Sequence, residues 1–418
     1  MPENFYFKKG FSPETIISKL NAARNIKGGI VSFTGLQFNE WFTITYSALN
    51  KPRNVNRFQF ISAVHAALFN PKLPINFSES QLASECKKAL TNLRRRKKKR
   101  YTVVFQIVNL LNFKFKTLKI GDAQLYFDMS SRKGFRKAAQ KYRKKLHAEL
   151  GQQDRIPDLK PHHQVLVDVD ALSAAEAHQI CKEALDTVRG ILNLLTNLHR
   201  ISRMSSGRRK PVNEILEFPF TTIHNRDGSL AYKGFWYTPN WTEPGRHGNF
   251  NKHYKYALSN FATVNGFIRR HRLKSDALAA VVQYCDALDE PDWQASFLKI
   301  WTLLEFLTQI NNADYDKLVK RASKIFGNIA ENREVMKHLR IRRNQLVHEN
   351  SPEEDLEILI YQSKRFAEHL LLFFITNSFK FDRLDDFARF LDSPIEPSER
   401  KRAGKILRAA NYFWAGAP

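Results

Sequence analysis

The sequence predicts an α+β protein, in which a region of mixed strands and helices is followed by a purely helical one. Up to about residue 250, short β-branched and aromatic runs, such as those at residues 30–33, 101–111 and 163–169, stand between helical segments. Beyond residue 254 these runs disappear, and segments with helical spacing follow one another. Both observations separate the chain into two parts of different character.

This change in character sets the expected domain boundaries. A chain of 418 residues is long enough for two or three domains. We expect a mixed region over residues 1–250, a helical bundle over 251–390 and a helical tail over 391–418. A break near 150–170 would divide the mixed region in two, and its size suits a sensing, regulatory or RNA-binding part.

Local signals predict the individual elements of the mixed region. Residues 41–46 and 113–116 carry the aromatic, β-branched or alternating pattern of strands. Ser173 and Glu176 have the spacing of a capping box, which marks the start of a long helix. Residues 225–228 are predicted to form a hairpin-type turn between two further strands.

The second part of the chain is predicted to form successive helices. Apolar residues recur at helical spacing over residues 254–272, 276–288, 291–311, 315–329, 331–349, 353–380 and 399–414. Ser351 is a candidate N-cap, Pro352 suits the first helical position and Glu354 the third. These residues predict a helix break directly after His348.

The chain is strongly basic, because 67 Lys and Arg residues stand against 41 Asp and Glu residues and give a net charge of +26. A protein of such charge repels itself unless a polyanion is near. RNA, DNA and acidic membrane surfaces are the candidate partners, and charge alone does not separate them. The hydrophobic share of 43% is sufficient for a packed core and argues against a wholly disordered chain.

Several kinds of site have no counterpart in the sequence. Cys86, Cys181 and Cys285 are far apart, so neither a disulfide framework nor a zinc site built on Cys-x-x-Cys is expected. Neither His-Glu-x-x-His nor a phosphate-binding Gly-x-x-x-x-Gly-Lys-Ser/Thr loop occurs, so we expect no metal and no cofactor. The first residues lack the pattern of a signal peptide and no run of ~18 apolar residues follows, which predicts a cytoplasmic protein without a membrane span.

The most informative pattern for chemistry lies at residues 342–348. On a helix, Asn344 and His348 are four residues apart and share a face, while the long side chain of Arg343 can reach the same phosphate. An imidazole can exchange a proton with a ribose 2′-hydroxyl or a leaving 5′-oxygen near neutral pH. A guanidinium can hold the scissile phosphate through two hydrogen bonds. The alternative is that both residues only face the negative end of the helix dipole.

These residues resemble a known signature. Arg343-Asn344-x-x-x-His348, followed by a helix break, resembles that of the HEPN superfamily (higher eukaryotes and prokaryotes nucleotide-binding domains). Upstream, Trp301 and Glu305 resemble the Trp-x-x-x-Glu helix of its ApeA-like branch. The resemblance covers about residues 275–380, roughly a quarter of the chain, and the first 250 residues take no part in it.

The resemblance implies a helical bundle that forms a homodimer and cleaves RNA without a metal, leaving a 2′,3′-cyclic phosphate. Arg343 would bind phosphate, His348 would act as acid or base, Asn344 would assist, and Glu305 would belong to the same site. Such domains recur in antiviral abortive-infection proteins and toxins. Some members only bind RNA or nucleotides, and that remains the alternative here. The mixed region would then sense a phage-derived or other trigger, or restrain the nuclease.

Three clusters of cations are candidate contacts to an RNA backbone, because such contacts neutralise phosphates without reading base sequence. The candidates are Arg94, Arg95, Arg96, Lys97, Lys98, Lys99, Arg100, Arg136, Lys137, Lys141, Lys144, Lys145, Arg208 and Arg209. A solvated face, a mobile loop, a membrane surface or an acidic protein partner would account for the same clusters.

Overall fold

The computed structural model describes residues 5–35, 38–52, 55, 57–128, 132–150, 162–198, 200–202, 210–232, 236–238, 241–245, 249–310, 314–348 and 355–415. The protein is α+β, as predicted: strands occur only up to Tyr237 in this described part, and helices follow. The chain forms two compact units. The first consists of Met1–Lys99 and Asp170–Ala177, and the second of Arg100–Val169 and His178–Pro418.

The first unit packs four helices and a small hairpin around an aromatic-rich core. Its elements are α1 (Pro13–Ala23), β1 (Arg24–Lys27), β2 (Ile30–Phe33), α2 (Phe38–Ala48), α3 (Arg57–Leu68) and α4 (Glu79–Arg95). Arg24 is buried and donates to four main-chain carbonyls, those of Leu68, Asn70, Leu73 and Pro74. These hydrogen bonds fix the loop after α3, because a buried guanidinium or a buried carbonyl without a hydrogen-bond partner costs free energy.

The strand prediction for residues 41–46 is wrong, since these residues lie inside α2. Phe38, Phe42 and Tyr46 recur every fourth residue and pack successively, with ring centroids 6.0 and 5.6 Å apart. On a helix this spacing places the three rings on one face. Packing of that face therefore outweighs the strand preference of the individual residues.

The second unit contains a six-stranded sheet with the strand order β4-β5-β6-β3-β7-β8. Its strands are β3 (Lys99–Ile107), β4 (Thr117–Ile120), β5 (Ala123–Tyr126), β6 (His163–Ala171), β7 (Phe220–Asn225) and β8 (Trp236–Tyr237). The pairs β3–β7, β4–β5, β5–β6 and β7–β8 are antiparallel. The strands predicted at 101–111 and 163–169, and the turn at 225–228, are confirmed apart from shifts at the ends.

Residues 113–116 are not a strand, contrary to the prediction. Asn109 and Asn112 have φ angles of 59° and 48°, and this left-handed backbone ends β3 before the segment begins. Phe113 and Phe115 instead pack on Phe261, with ring centroids 5.2 and 5.3 Å apart. The alternating pattern therefore reflects a loop whose aromatic side chains cover a helix.

Two long helices accompany the sheet: α5 (Lys133–Leu150) and α6 (Ala174–Asn197). Phe135 and Ala139 of α5 pack against Val104 and Leu166 of the sheet. The predicted cap of α6 is present, because the Ser173 hydroxyl accepts from the Glu176 N–H at 3.2 Å. The Glu176 carboxylate accepts from the Leu172 N–H at 2.7 Å.

The rest of the second unit is helical: α7 (Phe250–Arg270), α8 (Lys274–Asp289), α9 (Trp293–Thr308), α10 (Tyr315–Ser323), α11 (Ile329–His348), α12 (Leu356–Thr376), α13 (Leu384–Asp392) and α14 (Pro397–Trp414). The apolar helix α9 is central and contacts α8, α10, α11, α12 and α13. The seven predicted helices are confirmed with shifted ends, whereas α13 was not expected. No helix among the described residues combines the length and apolarity needed to cross a bilayer.

Candidate functional site

The residues of the predicted site lie on α9 and α11, next to the start of α10. Met336, Leu339 and Leu346 anchor α11 in the core, which leaves Arg343 and Asn344 half-buried at its edge. Helix α11 is described as far as His348. The side chain of His348 and the predicted start signal at residues 351–354 lie outside the described residues, and α12 is described from Leu356.

Arg343 is held by an aromatic ring. Its guanidinium carbon lies 4.9 Å from the centroid of the Tyr315 ring. Tyr315 in turn meets Trp301 edge to face, with centroids 5.8 Å apart. The tryptophan and the arginine of the two sequence motifs are therefore joined through Tyr315. A cation held on a ring face keeps its in-plane N–H groups directed sideways, which suits recognition of a phosphate or carboxylate.

The hydrogen-bonding capacity of this cluster is incompletely used. One N–H of Arg343 donates to Asn344 Oδ1 at 3.3 Å, and no carboxylate in the described part of the chain pairs with the guanidinium. Arg343 Nε and Trp301 Nε1 are buried and have no hydrogen-bond partner among the described residues. Buried polar atoms without partners are uncommon, so these two N–H groups are candidate donors to a polar ligand.

Glu305 lies one helical turn after Trp301 on α9 and is half-buried. Its carboxylate has no hydrogen bond or ion pair within the described structure, and in particular none to Arg343. Glu305 interrupts an otherwise apolar helix, so the sequence predicts a partner for its carboxylate, with Arg343 and His348 as candidates. Because no bond joins the two side chains in the described structure, Glu305 does not neutralise the positive charge of Arg343 by direct contact.

The tract at residues 94–100 is exposed throughout. Arg94 and Arg95 form the last turn of α4, where cations favourably face the helix dipole. Arg100 pairs with the buried carboxylate of Asp168 at 3.4 Å. The side chains of residues 95–99 present cations to solvent.

The second cluster of cations, from Arg136 to Lys145, lies on α5, and its side chains point to both faces of that helix. Arg136, Lys137, Lys141, Lys144 and Lys145 are all exposed. The intervening Arg143 points inward, donates to the carbonyls of Val104 and Phe220, and burial lowers its pKa to about 9. Five cations therefore share the outer face of one helix. Arg208 and Arg209 of the third tract lie outside the described residues.

A cavity of about 330 Å³ lies elsewhere in the second unit, between α6, residues 211–217, the residues Thr238, Trp241 and Thr242, and the α8–α9 junction. Lys182 pairs there with Asp186 at 2.8 Å and with Glu217 at 3.1 Å. Burial alone would lower the pKa of Lys182, but these two carboxylates raise it above its ordinary value. No sequence signal singled out this cavity, because its walls come from separate segments.

Arg189 organises the floor of this cavity. It bonds Asp186 at 2.6 Å and Asp289 at 2.7 Å, and burial raises the pKa of Asp289 despite that contact. Each buried charge here has an opposite charge beside it, as a stable interior requires. No group of three or more His, Cys, Asp or Glu side chains in the described structure is arranged to hold a metal ion.

No protein-family model, no curated protein and no solved structure matches the chain.

Proposed function

We propose that the protein is a metal-independent endoribonuclease of the HEPN type, acting in the cytoplasm as an antiviral, abortive-infection or toxin effector. The observation that supports it is the half-buried guanidinium of Arg343, which rests on Tyr315 without a carboxylate partner in the described structure. Arg343 stands five residues before His348 on the same helix. An arginine prepared for an anion and a titratable imidazole are the two groups that this cleavage needs.

In the proposed reaction, Arg343 donates two N–H groups to the non-bridging oxygens of a phosphodiester. His348 takes the proton of the adjacent ribose 2′-hydroxyl, and the 2′-oxygen attacks phosphorus. The bond from phosphorus to the 5′-oxygen then breaks, and that oxygen receives a proton from His348 of the partner subunit. The products are a 2′,3′-cyclic phosphate and a free 5′-hydroxyl, and no metal takes part.

The basic surfaces would hold the RNA. The five outward cations of α5 and the exposed tract at residues 94–99 can each neutralise phosphates without selecting a sequence. The net charge of +26 supports the same partner, because long-range attraction to a polyanion accelerates encounter. We further propose that the mixed region senses a phage-derived or other trigger, since an unrestrained ribonuclease would poison its host.

The decisive experiment compares wild type, Arg343→Ala and His348→Ala on labelled RNA in EDTA. Lys337→Ala is the matched control, because Lys337 is an exposed cation on the same helix. We expect both site variants to lose at least ~100-fold in rate and the control to retain it. The cut ends should carry a 2′,3′-cyclic phosphate, and a 2′-deoxyribose at the cut should block cleavage. Equal cleavage by wild type and His348→Ala would refute the proposal.

A non-catalytic RNA-binding protein is the second candidate, favoured by the clustering of five exposed cations on α5. It would bind RNA tightly and with strong salt dependence, yet yield no product under any trigger. Light scattering on the active protein tests the dimer, because a stable monomer that still cleaves would exclude a site shared between subunits.

A further inference from the structure

Helix α14 is apolar on a surface that nothing in the described structure covers. None of its residues is buried. Ile406, Leu407, Phe413 and Trp414 are 61%, 64%, 75% and 66% exposed. Single apolar residues are normal on a protein surface, but a contiguous group of large ones marks an interaction site.

The apolar residues of α14 share one face. At ~100° per residue, six of them fall within a sector of about 120°. They are Ala403, Ile406, Leu407, Ala410, Phe413 and Trp414. Glu399 falls in the same sector, but in the first helical turn, where a carboxylate favourably faces the helix dipole. Tyr412 lies outside the sector and is 88% exposed.

The remaining surface of the helix is cationic. Arg400, Lys401, Arg402, Lys405 and Arg408 stand against the single acid Glu399, which gives this helix a net charge of +4. Packing α14 against itself in a second copy would bring these cations together in a chain that is already strongly basic. The occupant of the apolar face should therefore carry negative charge.

An RNA strand would satisfy the cations of α14 but leave its apolar sector in water. An anionic lipid surface satisfies both, since acyl chains accept the apolar sector and phosphates accept the flanking cations. Trp414 also suits the boundary between headgroups and acyl chains, where tryptophan is enriched in membrane proteins. We propose that α14 is a membrane-surface helix that lies in the interface of an anionic bilayer. The role is peripheral, and it is independent of the proposed nuclease site.

Flotation of the full chain with vesicles tests this proposal. One set of vesicles contains phosphatidylcholine alone, and the other contains added phosphatidylserine. We expect co-flotation only with phosphatidylserine, weakened by salt because exposed charges are screened. Phe413→Ser removes an aromatic ring from the apolar sector and should lower the bound fraction at least ~10-fold. Tyr412→Ser removes a ring from outside the sector and is the matched control, with an expected change below about twofold.

The double variant Arg402→Gln with Lys405→Gln tests the contribution of charge. Each lost cation should weaken binding to the phosphatidylserine vesicles about fivefold. Lys27→Gln, an exposed cation of the first unit, should leave flotation unchanged. Because no residue of α14 is buried, these variants should fold as the wild type does, and circular dichroism checks this.

Three outcomes overturn the proposal. Absence of flotation with phosphatidylserine vesicles excludes a membrane role. If the Phe413→Ser variant still floats with the vesicles, another part of the protein binds the membrane. A concentration-dependent dimer that Phe413→Ser dissociates, without vesicle binding by the wild type, identifies a second copy as the occupant. RNA cleavage by the Phe413→Ser variant is measured in parallel. It tests the nuclease proposal independently of the membrane proposal.

Discussion

The guanidinium of Arg343 lies over the ring of Tyr315, with its carbon 4.9 Å from the ring centroid. This contact joins α11 to the start of α10 and, through the edge of Trp301, to α9. An arginine side chain has many rotamers, and the aromatic contact reduces that freedom before any ligand binds. Preorganisation of this kind lowers the entropic cost of holding a phosphate.

Replacing Tyr315 with leucine should therefore impair the proposed nuclease while the bundle stays folded. A cation–π contact at a partly buried site is worth ~0.5–2 kcal/mol, which corresponds to roughly 2- to 30-fold in rate. Tyr315→Phe keeps the ring and should retain most of the activity. The measurement is the cleavage rate at saturating and at limiting RNA, with thermal unfolding as a check on the fold.

The split between kcat and KM distinguishes positioning from mere packing in this series. If Tyr315 orients Arg343 for the transition state, Tyr315→Leu lowers kcat and kcat/KM together. Equal kinetics for Tyr315→Leu and wild type would show that the stack has no part in catalysis.

The outer face of α5 should set the affinity for RNA without setting the choice of sequence. Lys137→Gln combined with Lys141→Gln removes two exposed cations. The slope of log K against log salt should then fall in magnitude by about 0.7 per lost contact on single-stranded RNA. Filter binding at several salt concentrations, on two unrelated RNAs, measures this slope.

Arg226→Gln is the control for that series, because Arg226 is an exposed cation in the β-hairpin turn of the same unit. It should leave the slope unchanged. An unchanged slope in the α5 double variant would instead assign the phosphate contacts to another surface.

Local patterns could predict part of this structure. The helices from α7 to α12 follow from apolar spacing that each segment carries itself, and so does the placement of Arg343 and His348 on one helix. Residues 41–46 were misassigned because the aromatic packing of α2 depends on residues far away in sequence. Helix α13 was missed because its segment is rich in charge, and only Phe387, Ala388 and Leu391 are buried.

The contacts between elements could not be predicted in this way. Tyr315 drew attention only as the first residue of a helix, since its contact with Arg343 exists only once α10 packs against α11. The cavity around Lys182 combines segments from 182 to 299, so no single window of sequence contains its pattern. Contacts of this kind arise from topology, which a single sequence read locally does not specify.

Gly190→Ala should destabilise the second unit, because α6 and α8 approach closely at this glycine. A Cβ at residue 190 would lie 2.8 Å from the main-chain oxygen of Val281 and 2.7 Å from its Cγ1. Overpacking against a backbone that cannot easily move costs ~1–3 kcal/mol. Thermal unfolding should show a lower Tm, and the change should not depend on pH.

Gly134→Ala is the comparison for that variant. Gly134 lies in α5, and a Cβ there would meet nothing within 4 Å. It should be neutral or should stabilise the protein by up to ~1 kcal/mol, because alanine favours the helix. Equal effects of the two substitutions would show that the α6–α8 approach is looser than the distances indicate.

The imidazole of His178 should make the stability of the fold depend on pH between about 4 and 6.5. It stacks on Trp236, with ring centroids 4.7 Å apart. Burial lowers its pKa to about 4; Lys182 adds to this shift, while Glu217 and Asp186 oppose it. In the unfolded chain the pKa is ~6.5, so within this window the unfolded state binds the extra proton and stability falls as pH falls. The loss in the free energy of unfolding is complete near pH 4 and reaches up to ~3 kcal/mol.

His178→Gln removes this titration, so the difference in unfolding free energy between pH 7 and pH 5 should become smaller than in the wild type. His338→Gln is the matched control, because His338 is exposed on α11. Urea unfolding at several pH values gives the required free energies. Parallel pH profiles for wild type and His178→Gln would mean that the imidazole is protonated as easily in the folded protein as in the unfolded chain. The contact with Trp236 would then leave the ring accessible to water.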